Sequence, residues 1–265
     1  MKKICLVLAL AMLLLLASSC GRLLPNVQIT RDMSDETKTI ERTGTESVYS
    51  LDISRLTLNM NRDTPAIRVI PADLASVTLI CSVDFADYGL SVTIGNGVIS
   101  ISTEHNHIYA DENFSLTIRA TLSNVQLDGG YSFLMDGSAA ADDFRITTRG
   151  AVNATITNLR TDSIAATMEG VGSMTLSGDS EMSDIRINGL GNIAARDFVS
   201  FDAQVRVNGA GNVELSVTTT LYGSIRGAGN IRFWGSPTVE RSITGVGRVE
   251  QRGSTIFPEY GGAVG

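Results

Sequence analysis

From Val48 onward the chain alternates apolar and polar residues with a period of two, as in Leu51-Asp52-Ile53 and Leu56-Thr57-Leu58, and its apolar positions are rich in β-branched side chains. Helical spacing is nearly absent. Successive side chains of a strand point to opposite faces, so this pattern places one set in a core and the other in water. The fold class it predicts is all-β.

A repeat organises the alternation. Glycines recur about every 20 residues, at Gly129, Gly150, Gly170, Gly189, Gly209, Gly227 and Gly245. The last five each open a Gly-x-Gly pair, completed by Gly172, Gly191, Gly211, Gly229 and Gly247, and Asn192, Asn212 and Asn230 follow three of the pairs. With the first glycine as origin, the second position before it reads Leu127, Thr148, Met168, Ile187, Val207, Ile225 and Ile243. The fourth after it reads Phe133, Ala154, Met174, Ile193, Val213, Ile231 and Val249. Both columns are predicted to face inward, with the largely apolar sixth position from Met135 to Phe233.

One turn of a parallel β-solenoid has about this period, and its coils stack about 4.8 Å apart, so seven coils would rise about 34 Å. A four-stranded propeller blade needs twice the length, and the Leu-x-x-Leu-x-Leu frame of leucine-rich repeats is missing. The prediction is a right-handed, single-stranded parallel β-helix with about seven glycine-cornered coils over residues 123–256. An N-terminal β capping region precedes it over 48–122, where Ile94-Gly95-Asn96-Gly97-Val98 reads as a tight turn between strands. Residues 257–265 read as a tail. At each corner the glycines are expected to supply positive φ, with asparagine tolerating it. The residue between them (Val171, Leu190, Ala210, Ala228 or Val246) is expected to plug the corner from inside.

The N-terminus carries an address. Lys2 and Lys3 precede an apolar run from Ile4 to Ala17, and Ser18 and Ser19 precede Cys20, the layout of a secretory signal over 1–19. The run is shorter than the roughly 20 residues of a membrane span. Leu16-Ala17-Ser18-Ser19-Cys20 resembles the lipobox of bacterial lipoproteins. That likeness implies acylation of Cys20 and anchoring of an exported protein to the membrane of the bacterial cell envelope, at the outer membrane or cell surface. Residues 20–47 hold few large apolar side chains and read as the lipidated cysteine and a tether.

Charge narrows the partners. The chain has 21 basic and 28 acidic side chains, a net charge of −7, and no cluster of lysine or arginine, which excludes a nucleic-acid partner. Cys5 leaves with the signal and Cys20 takes the lipid, so Cys81 has no intrachain disulfide partner; in Val77-Thr78-Leu79-Ile80-Cys81 it reads as a small buried hydrophobe.

Candidate chemistry is sparse. His105 and His107 would share one face of a strand near Glu104, Asp111 and Glu112, but the stretch is polar throughout and reads as a solvated loop, so no metal or other cofactor is assigned. Asp142, Asp143, Asp162, Asp179, Glu181 and Asp184 are the carboxylates a polysaccharide-processing β-helix enzyme would use. They fall in no single column, whereas glycosidases need two carboxyls about 5 to 9.5 Å apart in a cleft, so no catalytic residue is assigned. Tyr222 and Trp234 are the candidate ligand contacts, as aromatic surfaces on which a sugar can stack.

Asn188-Gly189-Leu190-Gly191-Asn192-Ile193 and Asn208-Gly209-Ala210-Gly211-Asn212-Val213, with Gly89-Leu90-Ser91-Val92 and Gly97-Val98-Ile99-Ser100-Ile101, resemble the head GIN domain family of auto-transporter adhesins over residues 48–256. The resemblance implies a right-handed β-helix, an exported or lipid-anchored location, an adhesive role and no catalytic residue. The departures are Gly150-Ala151-Val152-Asn153, which lacks the second glycine, and Arg248 in place of asparagine. The function expected is that of a non-catalytic envelope lipoprotein binding a carbohydrate, an envelope polymer or a protein. A polysaccharide-processing enzyme and a self-associating structural protein, forming homo-oligomers, are the alternatives.

Overall fold

The computed structural model describes residues 37–58, 66–82, 89–104, 108–109 and 114–254. Cys20, His105, His107, Asp111, Glu112 and the tail at 257–265 lie outside them. The described strands join into one sixteen-stranded sheet, and the chain coils as a β-solenoid of about seven turns.

The first eight strands build the closed end. They are β1 (Thr37–Thr43), β2 (Tyr49–Leu58), β3 (Ile67–Ile70), β4 (Ser76–Ser82), β5 (Leu90–Gly95), β6 (Val98–Thr103), β7 (Ile108–Tyr109) and β8 (Ser115–Arg119). Strands β5 and β6 form the predicted hairpin, and Asn96 and Gly97 turn it at φ 52° and 68°. Two positive φ values are what a two-residue turn matched to strand twist requires. Strand β2 pairs in parallel with β6 on one side and with β9 (Leu122–Asp136) on the other, so it is already a rung of the stack. Beyond β3 and β8 the pairing becomes antiparallel, through β4 to β1. Antiparallel pairing ends the parallel stack at this end, with β1 as its outermost described strand.

Strand β1 corrects the tether reading from Thr37 onward. Its side chains are almost all exposed, and it is held by backbone pairing with β4, from Thr37 opposite Ser82 to Thr43 opposite Ser76. A strand that packs a single apolar side chain, Ile40, against the core leaves no alternation to read. Cys81, in β4, is fully buried in the core.

The coils are β9, β10 (Ala140–Met168), β11 (Val171–Ile187), β12 (Leu190–Val207) and β13 (Ala210–Ile225), then β14 (Ala228–Trp234) with β15 (Thr238–Ile243), and β16 (Val246–Gly253). All pair in parallel, each rung on the one before. The predicted inward columns are buried, including Thr148. Ile243 is the exception at 40% exposed, because it sits in the last coil.

The glycines do form a row, for a different reason from the one their spacing suggests. A Cβ on Gly150, Gly170, Gly189, Gly209, Gly227 or Gly245 would lie 1.8–2.2 Å from the carbonyl oxygen of the preceding glycine in the row. The second row, Gly172, Gly191, Gly211, Gly229 and Gly247, would meet the oxygen below at 1.6–2.1 Å. Positive φ is confined to Gly129 and Gly150 in the first row and to Gly172, Gly191 and Gly247 in the second. Close approach of stacked backbones, not left-handed conformation, is the requirement every member shares.

The same geometry revises two other corner assignments. Asn192, Asn212 and Asn230 are not in the left-handed region. They form an amide ladder instead: Asn212 Nδ2 donates to Asn192 Oδ1 at 2.9 Å, and Asn230 Nδ2 to Asn212 Oδ1 at 3.0 Å. The residues between the glycines point outward; Leu190 is 52% and Val246 78% exposed. Because each inter-glycine residue stands directly over the last, they form an apolar stripe along the corner and not a plug inside it.

Candidate functional site

Parallel stacking in register turns a fixed offset in the repeat into a ladder along the long axis. On the strand segments that lead into the glycine corner, two outward ladders run side by side. One is Ser163, Met182, Asp202 and Thr220; the other is Ala165, Asp184, Gln204 and Tyr222. The residues between them, Ile164, Ser183, Ala203 and Leu221, point inward and are buried. An open trough of about 560 Å³ lies along these ladders over four consecutive coils.

The trough has a fixed floor. Ser183 Oγ lies 2.5 Å from Ser200 Oγ and 2.9 Å from Ser180 Oγ, and Ser180 also donates to the Met182 carbonyl. These hydroxyls are buried, and their mutual bonds meet the requirement that buried polar groups be paired.

One wall is clamped by charge. Arg186 grips Asp184 with both Nε and Nη2, and Arg206 Nη1 donates to Asp184 Oδ1 at 3.1 Å. A two-pronged guanidinium contact fixes direction as well as distance. Asp184 therefore presents a carboxylate held in one orientation, with two cations behind it. Above it stand the Gln204 amide and the half-buried ring of Tyr222. Opposite stand Thr220, exposed Asp202 and Met182, which is 59% exposed. Phe201, at a break in register between Ser200 and Asp202, adds an aromatic side chain 56% exposed.

The two aromatic candidates are not brought together. Tyr222 stands over Gln204 in the trough wall, whereas Trp234 stands over Ser216 on a different ladder. Trp234 is half-buried, with the Arg196 guanidinium 4.8 Å from its ring centroid. A cation over an indole face is a favourable packing contact that covers that face. Nearby, Arg232 lies between Glu214 and Glu250, the latter also reached by Arg252.

The remaining carboxylates are dispersed. Asp143 accepts a hydrogen bond from Ser163 Oγ at 2.6 Å, Asp179 lies 3.9 Å from Arg160, and Glu169 pairs with Arg149. Among the described residues no group of three or more His, Cys, Asp or Glu side chains is placed to hold a metal ion.

Gln204, Met182, Asp202 and Thr220 are the trough residues that reading motif by motif misses. The signal lies in the repeat itself. The fifth position before each first glycine reads Ala165, Asp184, Gln204, Tyr222 and Glu240, and the seventh reads Ser163, Met182, Asp202, Thr220 and Thr238. Tyr222 belongs to a column, and the column is the wall.

Comparison with solved structures places this architecture among bacterial relatives. A "putative adhesin" from Bacteroides fragilis superposes with a TM-score of 0.73 at 19% identity, covering 82% of this chain and 98% of its own. A "putative adhesin" from Parabacteroides merdae gives 0.57 at 16% identity, over 83% and 97% of the two chains. A "putative lipid binding protein" from Parabacteroides distasonis gives 0.56 at 16%, over 83% and 98%. At these identities the likeness shows a shared fold. No curated protein matches the sequence. Residues 80–237, more than half the chain, match the family described as "Putative auto-transporter adhesin, head GIN domain", and with its glycine rows and parallel coils the chain belongs to the head GIN domain family.

Proposed function

We propose that this protein is an exported lipoprotein, anchored through Cys20 at the outer membrane or cell surface, that acts without catalysis by holding a carbohydrate or other envelope polymer along the trough. In this reading residues 1–19 are the signal, the segment from Cys20 to the first strand is the link to the membrane, and the coils are the binding body. One observation carries it: along one axial trough four consecutive rungs present side chains that differ in size and polarity, with the Tyr222 ring on one side. Adhesion suits such a surface, since rigid backbone and repeated spacing let many weak contacts act without ordering loops on binding. The clamp on Asp184 supports holding over turnover, because two guanidiniums already occupy the carboxylate that would have to act with Asp202 across the trough. No helix among the described residues is long and apolar enough to cross a membrane, and acyl chains on Cys20 would provide the attachment.

The test has two parts. Mass spectrometry of the mature N-terminus is expected to find diacylglycerol on Cys20, and Cys20→Ser is expected to release the protein from membranes. Cells displaying the full-length chain are expected to be retained on purified envelope polymers and glycans. An unmodified Cys20 overturns the anchor, and absence of retention on every polymer, glycan and envelope protein tried overturns the binding role.

A further inference from the structure

The geometry points to a ligand class for this trough: a linear, uncharged polysaccharide lying parallel to the solenoid axis, with Tyr222 as its stacking platform and Gln204 and Asp184 as its hydrogen-bonding fork. The inference rests on the reading of the trough as a polymer-binding face.

Direction follows from register. The ladders Ser163 to Thr220 and Ala165 to Tyr222 rise together over four rungs, about 14 Å at about 4.8 Å per rung. Across the trough, side chains two positions apart on one strand stand only about 7 Å from each other. The opening is therefore long along the axis and narrow across it. An unbranched chain fits, with each successive sugar ring meeting roughly the next rung.

The side chains choose sugar over peptide. A peptide in extended form binds a sheet by pairing its backbone with a free edge. Here β10, β11 and β12 have parallel partners on both sides, and the trough crosses the face of the sheet. Backbone recognition is closed, which leaves recognition by side chains. Tyr222 offers an aromatic face with a polar tip, suited to the C–H face and rim hydroxyls of a pyranose. Gln204 offers a donor and an acceptor together, and Asp184 offers acceptor oxygens whose direction Arg186 and Arg206 already fix. Vicinal hydroxyls, each both donor and acceptor, complement that set.

Charge selects an uncharged polymer. Against the positive charges of Arg186 and Arg206 stand the three carboxylates Asp184, Asp202 and Glu240, a local excess of one negative charge. Asp202, on the opposite wall, makes no ion pair among the described residues, and Glu240 stands on the rung above Tyr222. The chain as a whole carries −7. A uronate or phosphate polymer entering the trough meets that field as a like charge, whereas a neutral glycan does not.

The experiment is calorimetric titration of the lipidated full-length chain in detergent. The probes are neutral linear oligosaccharides of two to six residues from cellulose, mannan and xylan, and oligogalacturonates of the same lengths. Affinity for at least one neutral series is expected to rise with length up to about four residues and then level off, since the trough spans four rungs. Tyr222→Ala is expected to weaken binding about tenfold, the equivalent of about 1.4 kcal/mol, while Tyr222→Phe, which keeps the ring, stays within about threefold. Gln204→Ala is expected to weaken binding several-fold, and Val246→Ala, on the corner stripe, to leave it unchanged. Unfolding midpoints of each variant separate loss of binding from loss of fold. Neutral binding indifferent to both Tyr222→Ala and Gln204→Ala overturns the site while leaving the adhesive role standing. Preference for oligogalacturonate, or retention of envelope proteins with no glycan bound, overturns the ligand class alone. Failure to bind any envelope component removes the adhesive role and the inference together.

Discussion

Gly209 lies in the middle of the glycine row, and its replacement by alanine separates two reasons for the repeat: left-handed backbone or close approach of stacked rungs. A Cβ there would sit 1.9 Å from the Gly189 carbonyl oxygen and 2.9 Å from its carbon. Ordinary carbon–oxygen contact is about 3.3 Å, so the rungs must part by about 1.4 Å. The same carbonyl accepts from Ala210 N at 3.0 Å across the gap that must open. Stretching that bond by this amount takes it beyond hydrogen-bonding distance. Losing one bond at about 1 kcal/mol, with about 1–3 kcal/mol of overpacking, gives a cost of about 2–4 kcal/mol. For a chain of this size that is a fall in melting temperature of roughly 4–16 °C.

Two other glycines supply the controls. Nothing lies within 4 Å of a Cβ on Gly95, which has no positive φ, so Gly95→Ala should be neutral or slightly stabilising. Gly97 has open space but a φ of 68°, so Gly97→Ala should cost about 1–2 kcal/mol. The close-approach account ranks Gly209→Ala worst; the left-handed account ranks Gly97→Ala worst and Gly209→Ala harmless. Thermal and urea unfolding would be followed by far-ultraviolet circular dichroism and by fluorescence of Trp234, the only tryptophan. Two probes are needed because a solenoid can unravel from one end. A Gly209→Ala protein melting within about 2 °C of wild type refutes the argument.

Three further outcomes are expected. Asn212→Asp removes the donor to Asn192 Oδ1 and sets an acceptor against an acceptor, costing about 1–2 kcal/mol near neutral pH; urea midpoints should recover in acid, where the carboxyl regains a donor, and equal midpoints across the range count against the ladder. The Tyr49 phenol donates to Glu46 and holds that carboxyl below its usual 4.5, so the stabilisation is present above that value and lost as pH falls through the lower folded value. Burial and the Glu46 carboxylate push the Tyr49 phenol above its usual 10.0, so its contribution is lost as pH rises through the folded value. Glu46→Gln should flatten the acid limb of a midpoint-against-pH curve, and an unchanged limb defeats the assignment. Fully buried Cys81 should react with a bulky disulfide reagent only along the unfolding curve; prompt labelling of the native chain would put it at the surface.

The coil period and inward columns were legible because core burial and backbone stacking recur in every turn and write the same residue types at the same offsets. Less legible was any feature whose cause lies between coils. Glycine in sequence is compatible with positive φ or with contact, and only the stacked neighbour, Gly189 under Gly209, distinguishes them. Asn192, Asn212 and Asn230 equally suit a turn conformation or a ladder. Leu190 and Val246 look like core by composition but lie on the outside of the corner, where the backbone rows leave no interior room. Strand β1 was hidden because, apart from Ile40, only its backbone is engaged. Tyr222 could be singled out as an aromatic, yet Gln204 and Asp202 become meaningful only when the register sets them beside it.

Columns that the fold constrains can be told from columns that it leaves free. The amide ladder is outward, yet it keeps asparagine at Asn192, Asn212 and Asn230 because each side chain hydrogen-bonds the next. It ends at Arg248, on the rung after which no further described coil needs the bond. The trough wall is outward too, but Ala165, Asp184, Gln204 and Tyr222 differ in size, charge and shape at every step. No bond along this ladder demands identity, so its residues can vary without disturbing the coils. A repeat that holds its interior and its corner while diversifying one axial wall has separated what keeps it folded from what it shows to a partner. In the proposed binding role, ligand contact therefore falls on the two ladders of the trough rather than on the glycine corner that makes the repeat visible.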